Sequence, residues 1–232
     1  SLNTVAYTWG EMSVAEGDNV VVSEMEHHSN IVPWQMLCQR KGAELRVIPV
    51  DDEGALELNS LDALIDERTK VVAVTQASNT LGTRPDLSTI IAKAHSVGAV
   101  VVVDGCQGVV HGGVDVKALD CDFYAFSGHK LYGPTGIGVL YGKRELLDKM
   151  PPYMGGGDMV DKVSFAKTTY ASLPLKFEAG TSNFIGAIGL AEAIKFLQSL
   201  PAEEVEQHEK ELLDYATTEL QKIEGLRIYG TT

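Results

Sequence analysis

Lys130 and Asp104 are the two side chains whose placement invites chemistry. Lys130 follows an apolar run, Phe123 to Phe126, that reads as a buried strand ending at Ser127-Gly128. A turn-rich Gly133-Pro134-Thr135-Gly136 comes next. A lysine just past the end of a buried strand can have its amine desolvated, which suits it to Schiff-base chemistry. Asp104 closes a run of four valines, Val100 to Val103, the pattern of a strand buried on both faces of a parallel sheet. Open α/β sheets bind their ligands at such carboxyl ends. Each residue has a plainer role open to it. Lysines beside turns are mostly solvated, and an aspartate after a strand often serves as a cap or turn residue. Together they suit one cofactor, pyridoxal 5′-phosphate, whose aldehyde takes a lysine as an imine and whose ring nitrogen pairs with a carboxylate.

Asp104-x-x-Gln107 followed by Ser127-x-His129-Lys130 resembles the class V aminotransferase family of fold-type I enzymes. Within it the chain is most similar to SUF-type cysteine desulfurases, also called selenocysteine lyases. Glu26-His27-His28-Ser29-Asn30-Ile31-Val32-Pro33-Trp34 and Phe177-Glu178-Ala179-Gly180-Thr181 are further matches in the same order. The resemblance implies a role for each matching residue. Lys130 would carry the cofactor and Asp104 would face its ring nitrogen. His27 would stack on the ring and assist proton transfer, while Asn79 and Gln107 would hydrogen-bond the phenolic oxygen. Ser127 and His129 would contact the phosphate, and Thr181 would reach the phosphate of a neighbouring subunit in a homodimer. Without the motifs, His27 and His28 would be polar loop residues, and Ser127 and Thr181 turn and cap residues.

The implied activity removes sulfur from L-cysteine, leaving alanine and an enzyme persulfide that an acceptor protein takes up for iron–sulfur cluster assembly. L-selenocysteine is the alternative substrate, another class V aminotransferase activity a second alternative, and an inactive cofactor-binding scaffold the non-enzymatic one. The family's nucleophilic cysteine, its substrate-carboxylate arginine and an N-terminal phosphate-binding threonine have no match among these residues. The chain is therefore expected to be a fragment, truncated at both ends and weak or inactive alone.

The elements needed to position these groups are legible as alternating strands and helices. Strands are expected at Asn19 to Ser23, Glu44 to Val50, Val71 to Thr75 and Val100 to Val103, with an antiparallel one at Ile137 to Tyr141. Helices are expected at Ile31 to Lys41, Leu58 to Glu67, Leu87 to Val97, Ile185 to Leu197 and Glu203 to Ile223. The last should carry Val205, Leu212, Ala216 and Ile223 on one face. Pro151 to Leu175 reads as a long loop, and Leu226 to Tyr229 as a strand. The fold class is α/β, a mainly parallel mixed sheet flanked by helices. The resemblance makes residues 1–199 the large domain of an aspartate aminotransferase-like transferase and 200–232 the start of a smaller one.

A net charge of −13 argues against nucleic acid and anionic membranes as partners. Cys38, Cys106 and Cys121 form no disulfide framework and no paired zinc spacing, which points to a reducing, cytoplasmic setting. Residues 1–20 lack a secretory signal pattern. His95, His111 and His208 lie apart, so no metal site is expected. Cys106 reads chiefly as a small buried apolar residue, and Gly155-Gly156-Gly157 as loop flexibility beside the site.

Overall fold

Three β-branched runs generate the centre of the molecule. In the computed structural model, which describes residues Ser1–Gly230, they become β1 (Asn19–Ser23), β3 (Thr69–Thr75) and β4 (Val100–Asp104). With β2 (Glu44–Ile48), β5 (Phe123–Ser127) and β6 (Gly138–Gly142) they form a six-stranded sheet ordered β2-β1-β3-β4-β5-β6. Neighbours from β2 to β5 pair in parallel, and β6 alone runs antiparallel, against β5. Successive strand residues point to opposite faces. Val21, Val72, Val74, Val101, Val103 and Tyr124 therefore enter one core, while Val20, Val22, Val71, Ala73, Val102 and Phe123 enter the other.

Helices seal both faces, which is why the inner strands β1, β3 and β4 are rich in buried valine, whereas the edge strand β2 carries Glu44 and Arg46. The N-terminal residues form α1 (Leu2–Val5), a π-helical turn (Ala6–Gly10) and α2 (Glu11–Ser13). They share one core with α3 (Val32–Lys41), through Val5, Trp34 and Leu37. Pro33 sits in the first turn of α3, and Gly42 ends it in the left-handed region at φ 66°. The other face is covered by α4 (Leu61–Leu64) and α5 (Leu87–Ser96), whose Asp86 cap accepts a hydrogen bond from the Thr89 amide. Short helices α6 (Val116–Leu119) and α7 (Arg144–Lys149) flank β5 and β6. The chain closes with α8 (Phe184–Ser199) and α9 (Ala202–Leu220), which meet at 82°. Among the described residues no single helix is long and apolar enough to cross a membrane.

Three expectations are corrected. The helix foreseen at Leu58 to Glu67 is a 3-10 turn plus the single turn of α4. Arg46 ends it by donating to the Leu64 carbonyl at 3.0 Å and to Asp66 at 2.8 Å, a tertiary cap that local sequence does not reveal. Leu226 to Tyr229 forms no strand. Arg227 donates instead to the Asp52 carbonyl, and the Gly230 amide to that of Glu53, so a loop rather than a ladder holds this segment. The stretch Pro151 to Leu175 contains a hairpin, β7 (Val160–Val163) with β8 (Thr168–Tyr170). On α9 the intended apolar face, with Val205, Leu212 and Ile223, is exposed. Residues 231 and 232 of the expected second domain lie outside the described residues.

Asp122, one residue before β5, pins that strand to β4. Its buried carboxylate accepts from the Val101 amide at 2.7 Å, from His95 Nε2 at 2.9 Å and from Lys143 Nζ at 3.0 Å. Lys143 also reaches the exposed Asp120 at 2.8 Å. Removing a buried acceptor strands three donors, whereas an exposed ion pair is worth little. Asp122→Ala should cost about 3 kcal/mol of unfolding free energy in urea titrations. Asp120→Ala should cost less than about 1 kcal/mol.

Candidate functional site

The strand order reverses between β1 and β3, since the chain leaves β1 toward β2 and returns on the other side. A crevice opens at such a point beyond the carboxyl ends of the strands. Asp104 ends β4 there, in register with Thr75 of β3 and Ala125 of β5, and is 3% exposed. Its Oδ1 accepts the Cys106 amide at 3.0 Å, so the carboxylate also shapes the turn that leads to Gln107. Gly105 makes room for this turn: a Cβ there would lie 1.9 Å from the Tyr124 ring. Tyr124 in turn hydrogen-bonds Gln76, the residue that follows β3.

Lys130 is the last residue of a 3-10 turn, Gly128–Lys130, that begins where β5 ends at Ser127. The turn is cinched at Gly128. Its amide donates to the Ile137 carbonyl at 2.9 Å, and its carbonyl accepts from the amides of Leu131 and Gly133, each at 2.9 Å. A Cβ at Gly128 would approach Ile137 to 2.9 Å. Lys130 is half-buried, and among the described residues its ammonium has no hydrogen-bond or ion-pair partner. His129 beside it is exposed. Ser127 Oγ lies 3.8 Å from Cys106 Sγ, which joins the end of β5 to the Asp104 turn.

Asn79 and Gln107, from the segments after β3 and β4, line one cavity of about 290 Å³ with Ser78, Arg84, His111 and Glu209. Arg84 donates to the His111 carbonyl, and His111 Nδ1 meets Glu209 of α9 at 2.8 Å. Sequence reasoning did not select these last three, which are far apart along the chain. Thr181 is exposed and, among the described residues, makes no hydrogen bond. Two residues on, Asn183 caps α8 and donates to the Gly136 carbonyl at 3.2 Å, tying that loop to the turn after Lys130.

His27 is exposed and caps the 3-10 turn His28–Asn30. Its Nδ1 accepts the Ser29 amide at 3.2 Å and lies 2.8 Å from Ser29 Oγ. A backbone amide can only donate, so the neutral ring carries its proton on Nε2. Beneath it lies Glu26, which sequence reasoning quoted in a motif but did not single out. Glu26 is 6% exposed, and its carboxylate takes three hydrogen bonds: Ser23 Oγ at 2.5 Å, Asn30 Nδ2 at 2.7 Å and the Thr75 amide at 2.8 Å. Burial outweighs those donors, with a smaller push from Asp104, and raises its pKa to about 7.

The three thiols are all held in the protonated form. Burial pushes Cys38 and Cys121 up to about 11. Cys106 is raised as well, by burial first and by Asp104 second. None has the electropositive setting of a nucleophilic thiolate. No group of three metal-ligating side chains occurs among the described residues.

A buried glutamate that binds its proton more tightly in the fold than in the unfolded chain stabilises the fold in acid. Its contribution is full below about 4.5, its ordinary value, and is lost as pH rises through about 7. The loss is on the order of 3 kcal/mol. Urea unfolding near pH 5 and near pH 8 should show that the wild type loses more stability over this interval than Glu26→Gln.

Comparison with known proteins follows the same lines. The aminotransferase class-V family model matches residues 1–232. A cysteine desulfurase of Enterobacter sp. (strain 638) is 55% identical over 230 residues, which is 99% of this chain and 57% of that protein. The crystal structure of the cysteine desulfurase CsdA from Escherichia coli superposes with a TM-score of 0.94 at 47% identity, covering 97% of this chain and 56% of that one. A C-DES variant with glycine covalently linked to its PLP cofactor gives a TM-score of 0.85 at 23% identity, over 100% of this chain and 62% of that one, and speaks for the fold alone. The chain spans a little over half the length of these relatives. It belongs to the class-V aminotransferase family.

Proposed function

We infer that this chain supplies the cofactor-binding part of a pyridoxal-phosphate-dependent cysteine desulfurase that takes sulfur from L-cysteine and leaves alanine. One observation carries the reading. A half-buried lysine amine without a hydrogen-bond or ion-pair partner among the described residues stands just beyond the end of β5, and the adjacent strand β4 ends in the buried carboxylate of Asp104. The residues present fit pyridoxal 5′-phosphate: an amine for its aldehyde, a carboxylate for its ring nitrogen, and two amides, Asn79 and Gln107, on a common cavity for its phenolic oxygen. When bound, the cofactor supplies an electron sink for the pair released at the substrate's α-carbon.

The chain's own groups divide the remaining work. Lys130 offers an amine that can bond to the cofactor and accept or return a proton at the α-carbon. Asp104, buried at the end of β4, would pair with the ring nitrogen and help hold the ring as an electron sink. His27, oriented by Ser29 through Nδ1, presents Nε2 as the ring nitrogen able to donate or accept a proton. Ser127 and His129 are suited by type to a phosphate dianion. The raised thiols of Cys38, Cys106 and Cys121 make them poor sulfur acceptors. On this reading another cysteine of the full-length protein forms the persulfide, which a sulfur-acceptor protein then takes for iron–sulfur cluster assembly.

A homodimer and a cytoplasmic location belong to the same reading. Exposed Phe184, Ile185 and Ile188 of α8, a few residues after Thr181, support the pairing of subunits. The unpaired cysteines support a reducing compartment.

Lys130→Ala should abolish the absorption band of the bound cofactor and lower alanine formation by the full-length protein roughly a hundredfold or more. Joint replacement of Cys38, Cys106 and Cys121 by alanine should leave alanine formation within about threefold, the cost of modest repacking. A full-length protein that keeps its band in Lys130→Ala, or takes up no pyridoxal phosphate at all, would sink the reading.

A further inference from the structure

Glu26 stands where the crevice opens, between β1 and β3, and carries more connections than a loop carboxylate needs. Asn30 reaches both ends of the turn that carries His27: its amide donates to the His27 carbonyl at 2.8 Å, and its Nδ2 donates to Glu26 Oε2. Trp34 Nε1 donates to Asn30 Oδ1 at 3.0 Å. An indole N–H cannot accept, so this contact fixes which way the Asn30 amide faces and makes its Nδ2 an obligatory donor to Glu26. The Thr75 amide is an obligatory donor as well, and Thr75 is the residue in register with Asp104. The Thr75 hydroxyl further approaches the Asp104 carbonyl at 3.3 Å, while its closer partner is the Ala77 carbonyl at 2.8 Å.

We propose that Glu26 is a positioning residue of the site, which fixes the turn bearing His27 and holds the end of β3 in register against Asp104. The inference rests on the cofactor reading given above. It adds a function for a buried acid that does not itself touch the reacting atoms.

The geometry also fixes where a proton on Glu26 goes. With Asn30 and Thr75 able only to donate, the Ser23 hydroxyl is the contact whose direction can reverse. Protonated Glu26 therefore donates through Oε1 to Ser23 Oγ and keeps its other two hydrogen bonds. Of the groups that face it, Ser23 on β1, Asn30 and Trp34 around the start of α3, and Thr75 on β3 are neutral. Asp104 on β4 is the charged one, and it has the same sign. The Asp104 carboxylate adds a push against ionisation of Glu26 that is smaller than the push from burial. A cation placed beside Asp104, such as a protonated pyridine ring, therefore favours ionised Glu26. By reciprocity, ionising Glu26 favours binding of that cation.

The test has two arms, both on the full-length protein. In the first, side-chain ¹³C-labelled glutamate is followed by NMR without cofactor, the Glu26 signal being assigned by its loss in Glu26→Gln. Its midpoint should lie near 7 and should fall in Asp104→Asn, which keeps the hydrogen bond to the Cys106 amide while removing the charge. An ordinary glutamate midpoint, or one indifferent to Asp104→Asn, would overturn the proposal. In the second arm, pyridoxal phosphate affinity is measured by absorbance on either side of pH 7. Glu26→Gln should bind about tenfold more weakly above that pH, the loss of one charge-assisted contact, and should lack the wild-type rise with pH. A parallel pH profile in both proteins would overturn the proposal alone. A wild type without a Lys130-dependent band would overturn the cofactor reading and this proposal with it. Should Glu26→Gln fail to fold, Glu26→Asp, which also removes the labelled glutamate signal, supplies the assignment and the Asp104→Asn comparison still decides.

Discussion

A parallel sheet covered on both faces has almost nowhere to put a polar side chain, and that constraint governs the molecule. The inner strands β1, β3, β4 and β5 carry valine, alanine and aromatic residues into two apolar cores. Polar groups gather where the strands stop. At the carboxyl ends the backbone must turn, and its amides and carbonyls need partners that the ladder no longer provides. Ser23, Thr75, Asp104 and Ser127 are the terminal residues of four of those strands. Glu26, Gln76, Gln107 and Lys130 follow within a few positions. The chemistry sits on that edge because the fold leaves it little other room, and because a rigid sheet fixes groups that are remote in sequence.

The same edge explains how charge is managed. Asp104 and Glu26 are both nearly inaccessible to water, and burying two like charges together would be costly. Three donors meet the Glu26 carboxylate, yet burial still wins and lifts its pKa toward neutrality. At the far end of β4 the solution differs. Asp122 is buried as well, but Lys143 and His95 meet it directly. One carboxylate is balanced by a cation in a structural cluster. The other relies on neutral donors beside a site for which a cationic ring is inferred.

Much of this was legible in the sequence because its signals are local. Valine runs marked the buried strands, and Pro33 and Gly42 bracket a helix. That Asp104 ends one buried strand and Lys130 follows another was legible from the same runs, whereas the adjacency of β4 and β5 was not. What escaped notice depends on contacts between distant residues. Arg46 shortens the helix at Leu61–Leu64 from across a loop. The cavity wall at Arg84, His111 and Glu209 is assembled from three separate segments. Glu26 had a local signal, an acid just after an apolar strand, but nothing local announced that Thr75 and Asn30 would converge on it. The Leu226 to Tyr229 segment has the composition of a strand and no strand to pair with, since composition cannot supply a neighbour.

The close approach of Tyr124 to Gly105 has a consequence for how this sequence can vary. The phenol ring occupies the space where any other residue's first carbon would go, and its hydroxyl holds Gln76. A methyl group at position 105 would have to evict the ring, and with it the anchor of the segment that leads to Asn79. One hydrogen atom in place of a side chain thus ties the segments that follow β3 and β4 to a single ring on β5. Substitution in either segment is limited by that ring.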